Sequence, residues 1–212
     1  MTSVIGEVKA GAVVNMLSGI TESQRKNQEE IGRSIKEQLN IINHIQEILH
    51  IQKQYLNGHS TFERKLTNLR TIITDCVSML YASMEKREIS LSINIPEKLP
   101  KIKADRTRIM QVILNILKNS IESIDVNADE KNITMSVKIH NSSLVLLVED
   151  TGYGFDESTK KQLFTRGFTT KASGSGLGLS NCKAIIESHQ GTIEIASDGF
   201  GKGAVVAMEF KI

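Results

Sequence analysis

The chain has 212 residues, 40% of them hydrophobic, and a formal net charge of +2 from 26 basic and 24 acidic side chains. The charges balance locally, six of each sign in residues 1–60 and twenty basic against eighteen acidic beyond them, which leaves no one-sided basic field for binding nucleic acid. No apolar run reaches the ~18 residues that cross a bilayer, the start lacks a signal-peptide pattern, and Cys76 and Cys182 stand alone without metal-ligand spacing, so the expectation is a cytoplasmic chain with reduced, buried thiols and no membrane contact.

Residues 3–20 read as a helix, and the polar run 24–28 suggests a turn after it. Ile31, Ile35, Leu39, Ile42, Ile45 and Leu49 then recur at steps of three and four, one face of a second helix. Ile41, Ile48 and Ile51 add a second apolar edge, too much for one helix to leave in water. Two such helices bury these faces most simply as half of a four-helix bundle. Residues 1–58 are therefore expected to form a hairpin that makes a homodimer, with a boundary at the Asn57-Gly58 pair. A structural hairpin or coiled-coil linker is the other reading of the same pattern.

Residues 59–212 mix periods. Residues 67–85 read as a helix with Asn68 as its cap, and 89–95 alternate as a strand ended by Pro96. Asp105 caps an amphipathic helix with Ile109, Val112, Ile113, Ile116 and Leu117 on its buried side. Residues 133–139 and 144–148 read as strands, 179–189 as a helix, and 192–196 and 205–212 as closing strands. No strict strand-helix-strand repeat appears. The expected fold class is therefore α+β, the helical hairpin followed by an α/β sandwich whose mixed, mainly antiparallel sheet is covered by helices.

Three clusters in this second part carry chemistry. Gly174, Gly176 and Gly178 follow an irregular segment, 156–173, and lead into the helix from Leu179. They match neither G-x-G-x-x-G nor G-K-[ST]. Backbone N–H groups at a helix start suit an anion under a mobile lid, and Lys171 adds charge; a glycine-rich turn without a ligand is the alternative. Asp150 lies in the run Glu149-Asp150-Thr151-Gly152-Tyr153-Gly154 at a strand end, where a carboxylate accepts an amino-group proton from a base and the glycines let the backbone close over it. Asn115 and Asn119 stand one turn apart on a helix whose other face is core. Asparagine is a mediocre helix former, so the pair calls for a reason beyond solvation.

Asn115-x-x-x-Asn119, Asp150-x-Gly152-x-Gly154, Phe164-Thr-Arg-Gly-Phe168-Thr-Thr-Lys171 and Gly174-x-Gly176-Leu177-Gly178-Leu resemble, in order, the N, G1, F and G2 boxes of sensor histidine kinases. The ATP-binding sandwich of that family is shared with gyrase and the heat-shock chaperone ATPases, and the resemblance covers residues 62–212. It implies ATP and Mg²⁺ as cofactors, with Asp150 accepting the adenine amino group, Gly152 and Gly154 closing over it, and Asn119 holding Mg²⁺. Gly174, Ser175, Gly176, Leu177 and Gly178 would form, with Lys171, a lid over the β- and γ-phosphates, anchored by Phe164 and Phe168. Asn115 and Lys171 are the implied catalytic residues. In the hydrolysing relatives a water-activating glutamate stands at the position of Asn115, and an amide is no general base at neutral pH. ATP is then held for transfer to a protein side chain. Where the family usually has Thr, this chain has Ala204, a departure on the adenine side.

Residues 6–17 resemble one version of the family's H box, with Val14 in the place of the phosphoacceptor histidine and Asn15 after it. The hairpin is also shorter than the family's, with about eleven residues from Val14 to the turn at Arg25. His44 and His50 fall on the second hairpin helix, His59 in the linker and His140 at a strand end. His189 closes the helix after the lid, where the helix dipole favours a cation. The resemblance further implies a response regulator receiver domain as partner. Three readings stay open: a kinase core whose own acceptor is lost or replaced, a nucleotide-binding pseudokinase or scaffold, and an ATPase or serine kinase on the same sandwich. Asn115 and the helical hairpin speak against the last.

Overall fold

A computed structural model describes residues 64–171 and 174–212, together with Gly19, 21–28, 30–32, Ser34 and Gln38. The chain divides into two compact units, 1–60 and 61–212. In the first unit the described residues are all helical, 21–28 included. The polar run does not turn there, because Glu22, Gln24, Arg25, Lys26 and Gln28 are good helix formers with no Gly or Pro among them. Val14, the stripe from Ile35 to Leu49, the edge at Ile41, Ile48 and Ile51, the dimeric hairpin, His44, His50, His59 and the boundary at Gly58 lie outside the described residues. No described helix is long and apolar enough to cross a membrane.

The second unit runs β1 (Lys65–Thr67), α1 (Leu69–Lys86), β2 (Ser90–Asn94), β3 (Ile102–Ala104), α2 (Arg106–Ser123), β4 (Asn132–His140), β5 (Ser143–Asp150), α3 (Glu157–Lys160), α4 (Gly178–Ser188), β6 (Thr192–Ala196) and β7 (Ala204–Lys211). Five strands form one sheet in the order β2-β4-β5-β7-β6, while β1 and β3 pair separately. Only β2 and β4 run parallel; the other pairs are antiparallel, the mixed, mainly antiparallel sheet that the sequence suggests.

Strand alternation gives this sheet a single buried face. Directly opposed residues of neighbouring strands share a face, and the row Met135, Val148, Val206, Ile195 is buried throughout, as is Val137, Leu146, Met208, Ile193. The helix α2 lies over β5, between α1 and α4, and buries Ile109, Val112, Ile113, Ile116 and Leu117. Each such side chain contributes about 1.5–3 kcal/mol by leaving water. The next row along the sheet is Ile133, Asp150, Ala204. Asp150 therefore belongs to the helix-covered face, at the point where the core gives out.

The second unit also departs from the sequence reading, at the start of α1, in the segment before the lid and at His189. Thr67 belongs to β1, and α1 starts after Asn68, whose side chain accepts the Arg70 N–H at 2.9 Å. The segment 156–173 contains α3, capped by Asp156. His189 does not stand as a cation at the end of α4. It is only 6% exposed; its Nε2 accepts the Asp105 backbone N–H at 3.0 Å, and Nδ1 lies 2.8 Å from the Ile185 carbonyl. A neutral ring protonated at Nδ1 satisfies both contacts. Burial lowers the pKa of His189 below its ordinary 6.5, helped by Arg64 and Arg108 and opposed by the Ile185 carbonyl and Asp105. The ring thus ties the end of α4 to the cap residue of α2.

A depressed folded-state pKa means that the unfolded chain takes the proton first. This contribution to stability is complete above the unfolded value of 6.5 and is lost as pH falls through the lower folded value. The urea midpoint is accordingly expected to drop between about pH 7.5 and about pH 5.5. In His189→Gln, which cannot titrate, the drop over the same range should be smaller.

Candidate functional site

The face of α2 beside its buried stripe carries Asn115, Asn119 and Ser123. At steps of four residues they stand about 6 Å apart in one row. Each meets a different part of the chain.

Asn115 is half-buried against the start of α4. Its Nδ2 donates to Cys182 Sγ at 3.2 Å, and a Cβ on Gly178 would come within 2.7 Å of that same nitrogen. The bare glycine lets α4 begin directly against α2. Burial pushes the Cys182 thiol up to about 11, against the lowering effect of the Asn115 donor, so the sulfur is a neutral thiol at physiological pH. Leu177, which precedes α4, makes no side-chain cap bond. No side chain from the cap position therefore serves the first-turn N–H groups of α4.

Asn119 meets the lid segment. Its Oδ1 accepts from Lys171 Nζ at 3.1 Å, and the same Nζ lies 2.5 Å from Glu122 Oε2. Glu122 is thus a member of the site that sequence reasoning missed, because nothing in the sequence pairs it with a residue 49 positions later. The loop between Lys171 and α4 folds back on its own approach: the Gly167 N–H donates to Gly176 O at 3.0 Å, and the Gly174 N–H to Lys171 O at 3.2 Å. At Gly176 φ is +67°, and a Cβ would sit 2.3 Å from the Gly167 carbonyl carbon. Ser175 Oγ accepts the Leu177 N–H at 3.4 Å. Phe164 packs against the core below Lys183, whose Nζ stands 5.5 Å from the ring centre, while Phe168 is half-buried.

Ser123 ends the row at the strand. Asp150 Oδ1 accepts the Gly152 N–H at 2.9 Å and lies 3.1 Å from Ser123 Oγ. The turn that follows closes on the loop 197–203, with the Gly203 N–H donating to Gly152 O at 3.0 Å and the Gly201 N–H to Tyr153 O at 2.6 Å. Gly154 and Gly203 both have positive φ at this crossing, and a Cβ on Gly203 would fall 1.8 Å from Asp150 O. Ala204 stands opposite Asp150 in the sheet.

The structure therefore brings the four motif segments together along one side of α2. Val14, expected as the vacated acceptor position on the N-terminal hairpin, lies outside the described part of the chain. Among the described residues no cluster of His, Cys, Asp or Glu can hold a metal ion by itself. The Asn119 amide oxygen is a hard ligand that suits Mg²⁺, an ion that keeps several waters and draws further ligands from substrate phosphates.

A family model described as histidine kinase-, DNA gyrase B- and HSP90-like ATPase matches residues 104–212. Sensor histidine kinase ZraS of Salmonella typhi is 36% identical over 162 residues, 76% of this chain and 33% of its own length. The signal transduction histidine-protein kinase AtoS of Escherichia coli (strain K12) is 32% identical over 176 residues, 82% of this chain and 28% of its own. The chain thus spans about a third of these curated relatives. The solved catalytic domain of histidine kinase ThkA aligns at a TM-score of 0.63 and 30% identity, covering 70% of this chain and 95% of that one. ThkA in complex with response regulator protein TrrA aligns at 0.63 and 27% identity, covering 81% and 49%.

The crossing at Gly203 admits no side chain, since the atom in the way is backbone. Gly203→Ala is expected to cost about 2 kcal/mol or more from the clash and positive φ together. Urea denaturation of the variant beside the unmodified chain measures it.

Proposed function

Since the chain belongs to the histidine kinase-, DNA gyrase B- and HSP90-like ATPase family, with the ATP-binding domain of a histidine kinase, we propose that it is the catalytic core of a cytoplasmic two-component kinase. In this reading residues 59–212 bind ATP with Mg²⁺ and pass the γ-phosphoryl group to a histidine, and residues 1–58 form the dimerising hairpin. The observation that carries it is the row on α2, which joins the Asp150 carboxylate at one end to the start of α4 at the other.

Asp150 accepts the adenine amino group, with Gly152 and Gly154 holding the turn behind it. Asn119 offers its amide oxygen to the metal. At the far end Gly174, Ser175, Gly176, Leu177 and Gly178 run into a helix start, where the Ser175, Gly176 and Gly178 N–H groups, unlike those of Gly174 and Leu177, are not already donated among the described residues of the segment, a setting that favours phosphate oxygens. Glu122 keeps the Lys171 cation beside Asn119, within reach of the same anions. Mg²⁺, when bound, neutralises charge on the phosphates. Phe164 and Phe168 anchor the segment that carries Lys171. Asn115 binds the Cys182 thiol and cannot take a proton from water, so ATP is kept for transfer.

The homodimer through the N-terminal helices and a response regulator receiver domain as partner belong to the same proposal; ThkA, similar in structure, is seen with a response regulator. Val14 in the acceptor position favours a second reading, a nucleotide-binding pseudokinase or scaffold that transfers nothing.

Calorimetry of the chain with ATP and Mg²⁺ should give micromolar-to-millimolar affinity, and Asp150→Asn should weaken it about tenfold or more by removing the carboxylate acceptor. An unmodified chain that releases no heat of ATP binding would sink the proposal.

Labelled ATP separates the two readings. The chain as it stands should not label itself, while Val14→His should gain an acid-labile, base-stable phosphoryl group, with Asn15 beside the ring to orient it. A Val14→His protein that dimerises and binds ATP yet stays unlabelled points to the scaffold.

A further inference from the structure

We infer that Ser123 is a positioning residue for base recognition: with the Gly152 N–H it holds Oδ1 of Asp150, leaving Oδ2 as the acceptor that selects a base with an exocyclic amino group. The inference rests on the reading of this site as one for ATP.

Ser123 is the last residue of α2, and it is joined to the Asp150 turn by two hydrogen bonds and by close packing against Gly152. Its carbonyl accepts the Tyr153 N–H at 3.0 Å, its Oγ lies 3.1 Å from Asp150 Oδ1, and a Cβ added to Gly152 would fall 2.1 Å from that Oγ. The turn is thus packed directly onto the hydroxyl. The Gly152 N–H reaches the same Oδ1 at 2.9 Å. A carboxylate held through one oxygen from two directions is fixed in rotation. Among the described residues no hydrogen bond is made to Oδ2.

The Ser123 hydroxyl carries one proton and has two acceptors in reach, Asp150 Oδ1 and the Ser120 carbonyl at 2.8 Å. The ionised carboxylate takes it. A charge-assisted bond is about twice as strong as a neutral one, and donation to Ser120 would leave two lone-pair-bearing oxygens facing each other at 3.1 Å. Neighbouring groups offer no substitute. Thr151 Oγ1 donates to the Glu130 carbonyl and accepts the Asn132 N–H, and Ala204, opposite Asp150 in the sheet, has no hydroxyl.

Selectivity follows from the acceptor left over. A base with an amino group supplies a donor to Oδ2, and a base without one leaves a desolvated carboxylate oxygen unpaired. Without the Ser123 hydroxyl the carboxylate turns more freely and its second oxygen is no longer presented in one direction. Contacts to the phosphates and to the rest of the base are untouched.

The test is calorimetry of the full chain with ATP and with purine riboside triphosphate, which differs only in lacking the amino group. The unmodified chain should prefer ATP by about tenfold or more. Ser123→Ala should weaken ATP about five- to tenfold and the analogue by less than about twofold, so that most of the preference disappears. Ser123→Cys, close in size but a weak donor, should fall between the two. Equal weakening of both nucleotides, or an unchanged preference in Ser123→Ala, overturns the positioning role while leaving the ATP site intact. An unmodified chain that binds neither nucleotide overturns the ATP reading, and the inference with it.

Discussion

One helix satisfies two demands at once. The apolar stripe of α2 must lie on β5 between α1 and α4, because Ile109, Val112, Ile113, Ile116 and Leu117 find cover nowhere else. That requirement fixes the rotation of the helix about its axis, and with it the direction of Asn115, Asn119 and Ser123 on the adjoining face. Both ends are tied as well. Asp105, its cap residue, donates its backbone N–H to the buried ring of His189, and the carbonyl of Ser123 takes the Tyr153 N–H. The polar row is positioned by the core packing beside it, so the site depends on hydrophobic contacts that no ligand touches.

Against this fixed rail the lid segment is held by weaker bonds. The Lys171–Glu122 pair is about two-fifths exposed on both sides, and exposed ion pairs contribute about 0–1 kcal/mol. The lysine can therefore exchange Glu122 for another anion at small cost. The backbone contact between Gly167 and Gly176 is different in kind, since it needs a positive φ and the absence of a Cβ at Gly176. The segment is thus shaped by glycine geometry and restrained by a charge that is easily traded.

What the sequence discloses, and what it hides, follows the range of the forces involved. The helix α2 is legible because its apolar period runs from Ile109 to Ile121, about three turns, behind a capping aspartate, and Asn115 and Asn119 stand out against that period. Asp150 and its glycines are legible because a turn at a strand end leaves a local mark. By contrast β1 and β3 have three residues each, too few for alternation to register, and α3 is a single turn. The helical run at 21–28 was hidden by its polarity, which resembles that of a loop although its residues favour helix. His189 misleads because the dipole of its own helix points to a cation, while the deciding partner is the Asp105 amide 84 positions away. Ser123 left a faint signal, one more step of four beyond Asn119, but its partner on β5 comes into view only in the folded chain.

The sheet has two open margins, β2 paired with β4 alone and β6 with β7 alone, and β2, with no buried residue, is the more exposed of them. A bare strand margin is a template on which a second molecule can add its own strand. Here the margin is five residues long, carries Ser90, Ser92 and Asn94 at alternate positions, and is followed by Pro96, which has no N–H to offer. An incoming strand would find five residues of backbone, three of them polar, with Ile93 the one large apolar side chain exposed among them. Edge-to-edge joining of two sheets through this margin is thereby disfavoured.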